Sequence, residues 1–184
     1  MKDDDNMNVI FLDIDGVLRN EQSSRRRWEY HQKYNVFISD IDEECVKRLS
    51  KIVRATSAKV VLSSSWRGDW AKGINNLELE QSKQLQSLFD KYNNEVIGIT
   101  LCIPRTYAAN EKYTSWRENE IKYYLNTHPE VRNFCVIDDE LFDLQTLQDF
   151  LILTDDKYGL QDEDIEKAVN ILKARKLVKN MKEG

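Results

Sequence analysis

Val9-Ile10-Phe11-Leu12-Asp13-Ile14-Asp15-Gly16-Val17-Leu18 is an apolar, β-rich run that ends in two aspartates one residue apart, followed by a glycine. Alternate side chains of a strand share a face, so Asp13 and Asp15 are expected to point the same way where regular pairing ends. Two crowded carboxylates resist being charged at once unless a cation sits between them or one takes a proton. That suits a metal-assisted nucleophile beside a general acid/base. Gly16 lets the chain turn sharply there without a Cβ clash. An ordinary strand ending in an Asp-Gly turn has the same local pattern, so the rest of the chain must decide.

The length of 184 residues suits a single domain over 1–184 with a modest insertion, placed at about 19–38. With 41% hydrophobic and 32% charged residues, a soluble globular chain with a real core is expected. A net charge of -5 argues against a general basic coat for nucleic acid and leaves room for a local basic patch. Cys45, Cys102 and Cys135 are scattered without a CxxC pair, which suggests neither a disulfide framework nor a zinc knuckle. Reduced thiols and an acidic start, unlike a signal peptide, lead to the expectation of a cytoplasmic protein. No apolar run is long enough to span a bilayer, so no membrane partner is expected.

Asn8–Leu12 reads as a buried strand. Arg19–Tyr34 is basic and aromatic without a clean period and reads as a loop or flap, closed by a short strand at Val36-Phe37-Ile38. Ile41, Cys45, Leu49, Ile52 and Val53 recur at helical spacing behind the acids Asp42, Glu43 and Glu44. Lys59–Leu62 is a second buried strand. Leu77–Tyr92 is an amphipathic helix, and Val96–Leu101 a strand. Ser115–Asn126 is helical, Val131–Ile137 a strand, Phe150–Leu153 a last short strand and Asp162–Val178 a final helix. Strands alternating with helices predict an α/β fold, a parallel sheet covered on both faces.

Ligands of open parallel sheets bind beyond the carboxyl ends of the strands. Here one strand ends at Asp13 and Asp15, a second at Ser63 and Ser64, and a third at Asp138 and Asp139, with Arg117 in the helix before the third. Each has a plain reading too. Serines 63–65 can cap the next helix. Arg67 can bridge to a loop carboxylate or touch substrate. Trp66, Trp70 and Trp116 can be core or rim. Asp138-Asp139-Glu140 can be an acidic helix start.

Taken together these stretches resemble the haloacid dehalogenase (HAD) superfamily of aspartate-nucleophile phosphotransferases. The first motif, DxDG after a strand, matches Asp13-Ile14-Asp15-Gly16. The second, a Ser or Thr after an apolar strand, matches Ser63, with Ser64 as rival. The third, a cation at a helix start, matches Arg117, with Lys112 as rival. The fourth, an acidic pair after a strand, matches Asp138-Asp139, with Asp143 as a further acid. More narrowly, Leu62-Ser63-Ser64-Ser65-Trp66-Arg67, Arg117–Tyr124, His128-Pro129-Glu130 and the tail Tyr158–Asp164 are similar to the HAD domain of Swiss Army Knife RNA-repair proteins. The resemblance covers most of Val9–Leu172 and not Arg19–Tyr34 in detail. It implies a three-layer α/β/α Rossmann-like sandwich with a mainly parallel sheet and little or no cap.

The resemblance also implies roles. Asp13 attacks phosphorus and carries an acyl phosphate. Asp15 protonates the leaving oxygen and then deprotonates water. Ser63 or Ser64, Arg117 and Gly16 stand at the phosphate. Mg2+ is held by Asp13, by Asp138 or Asp139, by a backbone carbonyl at Asp15 and by waters. The implied reaction is phosphomonoester hydrolysis, on nucleotides or nucleic-acid phosphate ends. A phosphatase or phosphotransferase for another small metabolite is the alternative, as is a non-catalytic phosphate-binding module. Arg25-Arg26-Arg27-Trp28 puts three arginines beside an aromatic near the first motif. It reads either as a substrate-binding patch, with Arg67, or as a solvated surface.

Overall fold

Strict alternation along the quoted run builds two hydrophobic layers. The computed structural model describes residues 7–102 and 116–174. Among them, β1 (Met7–Leu12), β2 (Lys59–Leu62), β3 (Val96–Ile99), β4 (Val131–Asp138) and β5 (Leu151–Leu153) form one sheet in the order β3-β2-β1-β4-β5. Every pairing is parallel. The helices are α1 (Glu21–Tyr34), α2 (Glu43–Thr56), α3 (Arg67–Trp70), α4 (Glu80–Tyr92), α5 (Trp116–Thr127) and α6 (Asp162–Lys173), with 3-10 stretches at Ile74–Asn76 and Phe142–Phe150.

Ile10, Leu12, Val60, Leu62 and Ile137 bury one sheet face against Leu49 and Ile52 of α2, Leu85 and Phe89 of α4, and Ala168 and Leu172 of α6. Val9, Phe11, Val61, Phe134 and Val136 bury the other against Ile121, Tyr124 and Leu125 of α5 and Leu144 and Leu147 of the second 3-10 stretch. This is the three-layer α/β/α sandwich expected of alternating strands and helices. Phe11 is fully buried, edge-on to Tyr124 at 5.4 Å and to Phe134 at 5.8 Å. Truncating such a ring to alanine costs about 3–5 kcal/mol. No helix among the described residues is long and apolar enough to cross a membrane.

Residues 19–38 depart from the sequence reading. In place of an irregular flap, α1 runs for 14 residues. It starts on a reciprocal cap, with Ser23 N donating to Asn20 Oδ1 at 2.8 Å and Asn20 N donating to Ser23 Oγ at 3.0 Å. The helix lacks an apolar period because it has little to do with the core: of its residues only Ser23 is buried. Val36-Phe37-Ile38 is not a strand. Val36 and Phe37 are exposed, and Phe37 stacks on His31 of α1 with ring centroids 3.8 Å apart. The Phe37 ring thus lies against a helix where a sheet edge was expected.

Register places the candidate site. Leu12 pairs with Leu62 on one side and with Ile137 on the other. The next residues, Asp13, Ser63 and Asp138, therefore emerge at one level of the sheet's carboxyl edge. Asp13 N donates to Ile137 O at 3.0 Å, and Ser63 N to Leu12 O at 2.9 Å, which carries the ladder one step further. Connections leave β1 for β2 on one side and reach β4 on the other. The edge beside β1 is thus the topological switch point, where open α/β sheets bind ligands.

Candidate active site

Three carboxylates converge at that edge. Oxygens of Asp13, Asp138 and Asp139 lie within 4.8 Å of one another, Asp13 and Asp138 buried and Asp139 half-buried. Helix α5 lays Arg117 across them. Its Nη1 donates to Ser63 O at 2.6 Å and to Asp138 Oδ2 at 2.8 Å, and sits 3.1 Å from Asp13 Oδ1. Burial opposes the guanidinium charge, but Asp13 and Asp138 outweigh it and raise its pKa. The second oxygen of Asp138 accepts Glu140 N at 2.9 Å.

Three acids against one cation leave a formal surplus of two negative charges in a largely dry space. Burial first, then the charge of Asp13, pushes Asp139 up to about 6. Burial likewise raises Asp138, against Arg117 and with Asp13. The cluster thus disfavours its own full ionisation. The crowding expected between Asp13 and Asp15 falls instead among Asp13, Asp138 and Asp139. Asp13 Oδ1 meets Arg117 as an ion pair but lacks an aligned hydrogen-bond donor among the described residues. An all-oxygen set, a surplus of two charges and an under-satisfied buried oxygen fit a hard divalent cation such as Mg2+.

Gly16 has a specific reason to be glycine. Its φ is +71°, and a Cβ there would lie 2.2 Å from Cγ and Oδ2 of Asp139. The backbone turns left-handed so that the acid can stand on its Cα. Thr154 Oγ1 donates to Gly16 O at 2.9 Å and ties the turn to the chain after β5.

Ser63 and Ser64 are both fully buried but differ in their partners. Ser64 Oγ accepts Trp66 N at 3.4 Å and so faces the following turn. Ser63 Oγ has no hydrogen-bond partner among the described residues. A buried hydroxyl left unpaired is uncommon and marks a place for a further polar group.

Asp15 does not join the three-acid cluster. Its Oδ1 accepts Arg19 Nη1 at 2.9 Å and its Oδ2 accepts Trp66 Nε1 at 3.0 Å. Arg67 takes the carboxylate-bridging role, donating to Glu120 Oε1 at 2.9 Å and to Ser64 O at 3.1 Å. The arginine triplet splits on α1. Arg27 donates to Asp40 Oδ2 at 2.8 Å, Arg25 donates to the exposed Glu29, and Arg26 is exposed. Asp143 stands in the 3-10 stretch outside the three-acid cluster, and Lys112 lies outside the described residues.

Sequence reasoning misses the partners of Asp15. Arg19 falls at the start of the stretch that reads as a loop, although it stands only four residues after Asp15. Trp66 reads as core or rim; its ring is indeed buried, but its Nε1 reaches the acid from the turn after β2. Asp40, the buried acid joining Arg19 to Arg27, has no motif to mark it.

Comparison with protein families matches residues 9–165 to the HAD domain in Swiss Army Knife RNA repair proteins. No curated protein and no solved structure matches the chain. The family match runs from β1 into α6 and takes in Asp13, Asp15, Ser63, Arg117, Asp138 and Asp139. It points to a phosphatase-type hydrolase. Fold, acid cluster and family match agree, and the chain belongs to the HAD family, as the domain found in Swiss Army Knife RNA repair proteins.

Proposed function

We propose that the protein is a Mg2+-dependent phosphomonoester hydrolase acting through a phosphorylated Asp13 on nucleotides or nucleic-acid phosphate ends. The observation that carries this reading is the meeting of Asp13, Ser63, Arg117, Asp138 and Asp139 at one switch-point edge. Asp13, Asp138 and Asp139 would hold the metal, whose positive charge lets an anionic nucleophile approach an anionic phosphate. Asp13 attacks phosphorus as the ester oxygen departs with a proton from Asp15. Water then attacks the acyl phosphate and returns a proton to Asp15, freeing phosphate and Asp13. Arg117 and the unpaired Ser63 hydroxyl stabilise the oxygens over which charge spreads in the transition state.

The finer substrate class draws support from α1. The helix carries four cations (Arg25, Arg26, Arg27 and Lys33) against two acids (Glu21 and Glu29) in a chain of net charge -5. Trp28, Tyr30 and Tyr34 are exposed on it, with Phe37 just beyond. Cations beside exposed rings suit a strand that offers phosphates and base faces. The test is phosphate release from sugar phosphates, mononucleotides and 3′- and 5′-phosphorylated oligonucleotides, with Mg2+ and with chelator. Chelator-sensitive release with the highest kcat/KM on oligonucleotides is expected. Preference for sugar phosphates would replace this substrate class with the small-metabolite reading. No release anywhere would leave a phosphate-binding module.

A further inference from the structure

We propose that Trp66 and Arg19 are positioning residues that aim Asp15 at the leaving-group oxygen, an inference that rests on the phosphoryl-transfer reading above. Asp15 stands beyond the end of β1 with its side chain 45% exposed, so packing does not fix its carboxylate. Two donors do. Arg19 Nη1 holds Oδ1 at 2.9 Å and Trp66 Nε1 holds Oδ2 at 3.0 Å. They come from different segments, one from the turn after β1 and one from the turn after β2.

Each donor is itself held. The Trp66 ring belongs to the hydrophobic core, so its one polar atom is a stiff arm reaching out of a packed site. Arg19 Nε donates to Asp40 Oδ2 at 2.8 Å, and Arg27 Nη1 donates to that same oxygen at 2.8 Å. Asp40 is buried, and the Arg27 guanidinium lies 5.1 Å from the centroid of the Phe37 ring. Gly16 N donates to Arg19 O at 2.7 Å and closes the backbone between Asp15 and Arg19. Helix α1, exposed and with almost no core contact, thereby delivers Arg27 to the acid that steadies Arg19.

A carboxyl oxygen offers two lone-pair positions. One donor on each oxygen fixes the plane of the group and leaves a position free on each for the travelling proton. In the first step the bond from phosphorus to the leaving oxygen breaks as the bond to Asp13 forms, and the proton of Asp15 converts the leaving oxygen to an alcohol. In the second, water loses its proton to Asp15 and displaces Asp13 from phosphorus. The proton in the first step matters most for a basic leaving oxygen. An alkoxide needs it, whereas 4-nitrophenolate leaves without much help.

The experiment compares kcat/KM for 4-nitrophenyl phosphate and for a nucleoside 3′-phosphate in wild type, Trp66→Phe, Arg19→Gln and Asp15→Asn. This quantity reports transfer to Asp13 and excludes the later water step. Trp66→Phe deletes the Nε1 donor and keeps an aromatic ring. Losing one hydrogen bond to a charged group is expected to lower the nucleoside rate about ten- to a hundredfold, with a loss on 4-nitrophenyl phosphate at least about fivefold smaller. Arg19→Gln should show the same inequality, and Asp15→Asn the largest. The ratio of the two rates within each preparation is independent of its folded, active fraction. Equal losses on both esters, or none on either, in Trp66→Phe and Arg19→Gln overturn the proposal while Asp15→Asn still discriminates. A wild type that hydrolyses neither ester overturns both this proposal and the hydrolase reading.

Discussion

Replacing Asp139 with asparagine should make the metal-free protein more stable and the Mg2+-loaded protein relatively less so. Asp139 shares a 4.8 Å cluster with Asp13 and Asp138, and Arg117 is the cation laid across it. Burial and the Asp13 charge push Asp139 up to about 6, roughly two units above an ordinary aspartate near 3.9. At 1.36 kcal/mol per unit that is about 3 kcal/mol, which solvent screening of a half-buried group reduces to about 1–2 kcal/mol. The sign follows from proton counts. Between about pH 4 and 6 the native state binds more protons here than the unfolded state, so wild-type stability falls as pH rises through that window and stays low above it. Asp139→Asn removes the titration. It should unfold about 2–8 °C above wild type in chelator at pH 8, and the difference should shrink at pH 4.5. Mg2+ at about a hundred times its Kd should then stabilise wild type by about 2.7 kcal/mol and the variant by much less. Thermal unfolding in a two-by-two of pH and metal is the assay. A variant less stable than wild type in chelator at pH 8, or one with an undiminished gain from Mg2+, would refute the reasoning.

Three further outcomes are expected. Gly16→Ala places a Cβ 2.2 Å from the Asp139 carboxyl at a left-handed φ, so it should cost about 1–3 kcal/mol by urea unfolding and abolish the gain from Mg2+. Ser63→Ala removes a hydroxyl without a partner among the described residues, so urea unfolding should move by less than about 1 kcal/mol while kcat falls by about ten- to a hundredfold; Ser64→Ala, which loses the contact with Trp66 N, should leave kcat closer to wild type. Arg25→Glu combined with Arg26→Glu should raise KM for end-phosphorylated oligonucleotides and spare mononucleotides, measured as initial rates at low salt where phosphate contacts count most.

The strand ends are legible because each joins a strong apolar run to a chemically distinct residue. Their order alone marks Asp13, Ser63 or Ser64, and Asp138 or Asp139 as candidates, and the Leu12–Leu62 and Leu12–Ile137 register then places Asp13, Ser63 and Asp138 at one level. Arg117 is legible only through its place between motifs, since an arginine on a helix carries no signal of its own. Helix α1 is not legible: periodicity reports a buried face, and α1 buries only Ser23. The choice between Ser63 and Ser64 hangs on one hydrogen bond, from Trp66 N to Ser64 Oγ. The holders of Asp15 are hidden for a related reason. Trp66 lies 51 residues away and Arg19 sits in a turn without a repeat, so long-range geometry brings them together and no local pattern announces it.

The most direct measurement is acid quenching of the enzyme during turnover of a 32P-labelled phosphate ester, followed by peptide mapping. The label should sit on the peptide containing Asp13, be released as inorganic phosphate by hydroxylamine in the manner of an acyl phosphate, and be absent from Asp13→Asn. Turnover that persists in Asp13→Asn, or a label fixed elsewhere, would contradict the account.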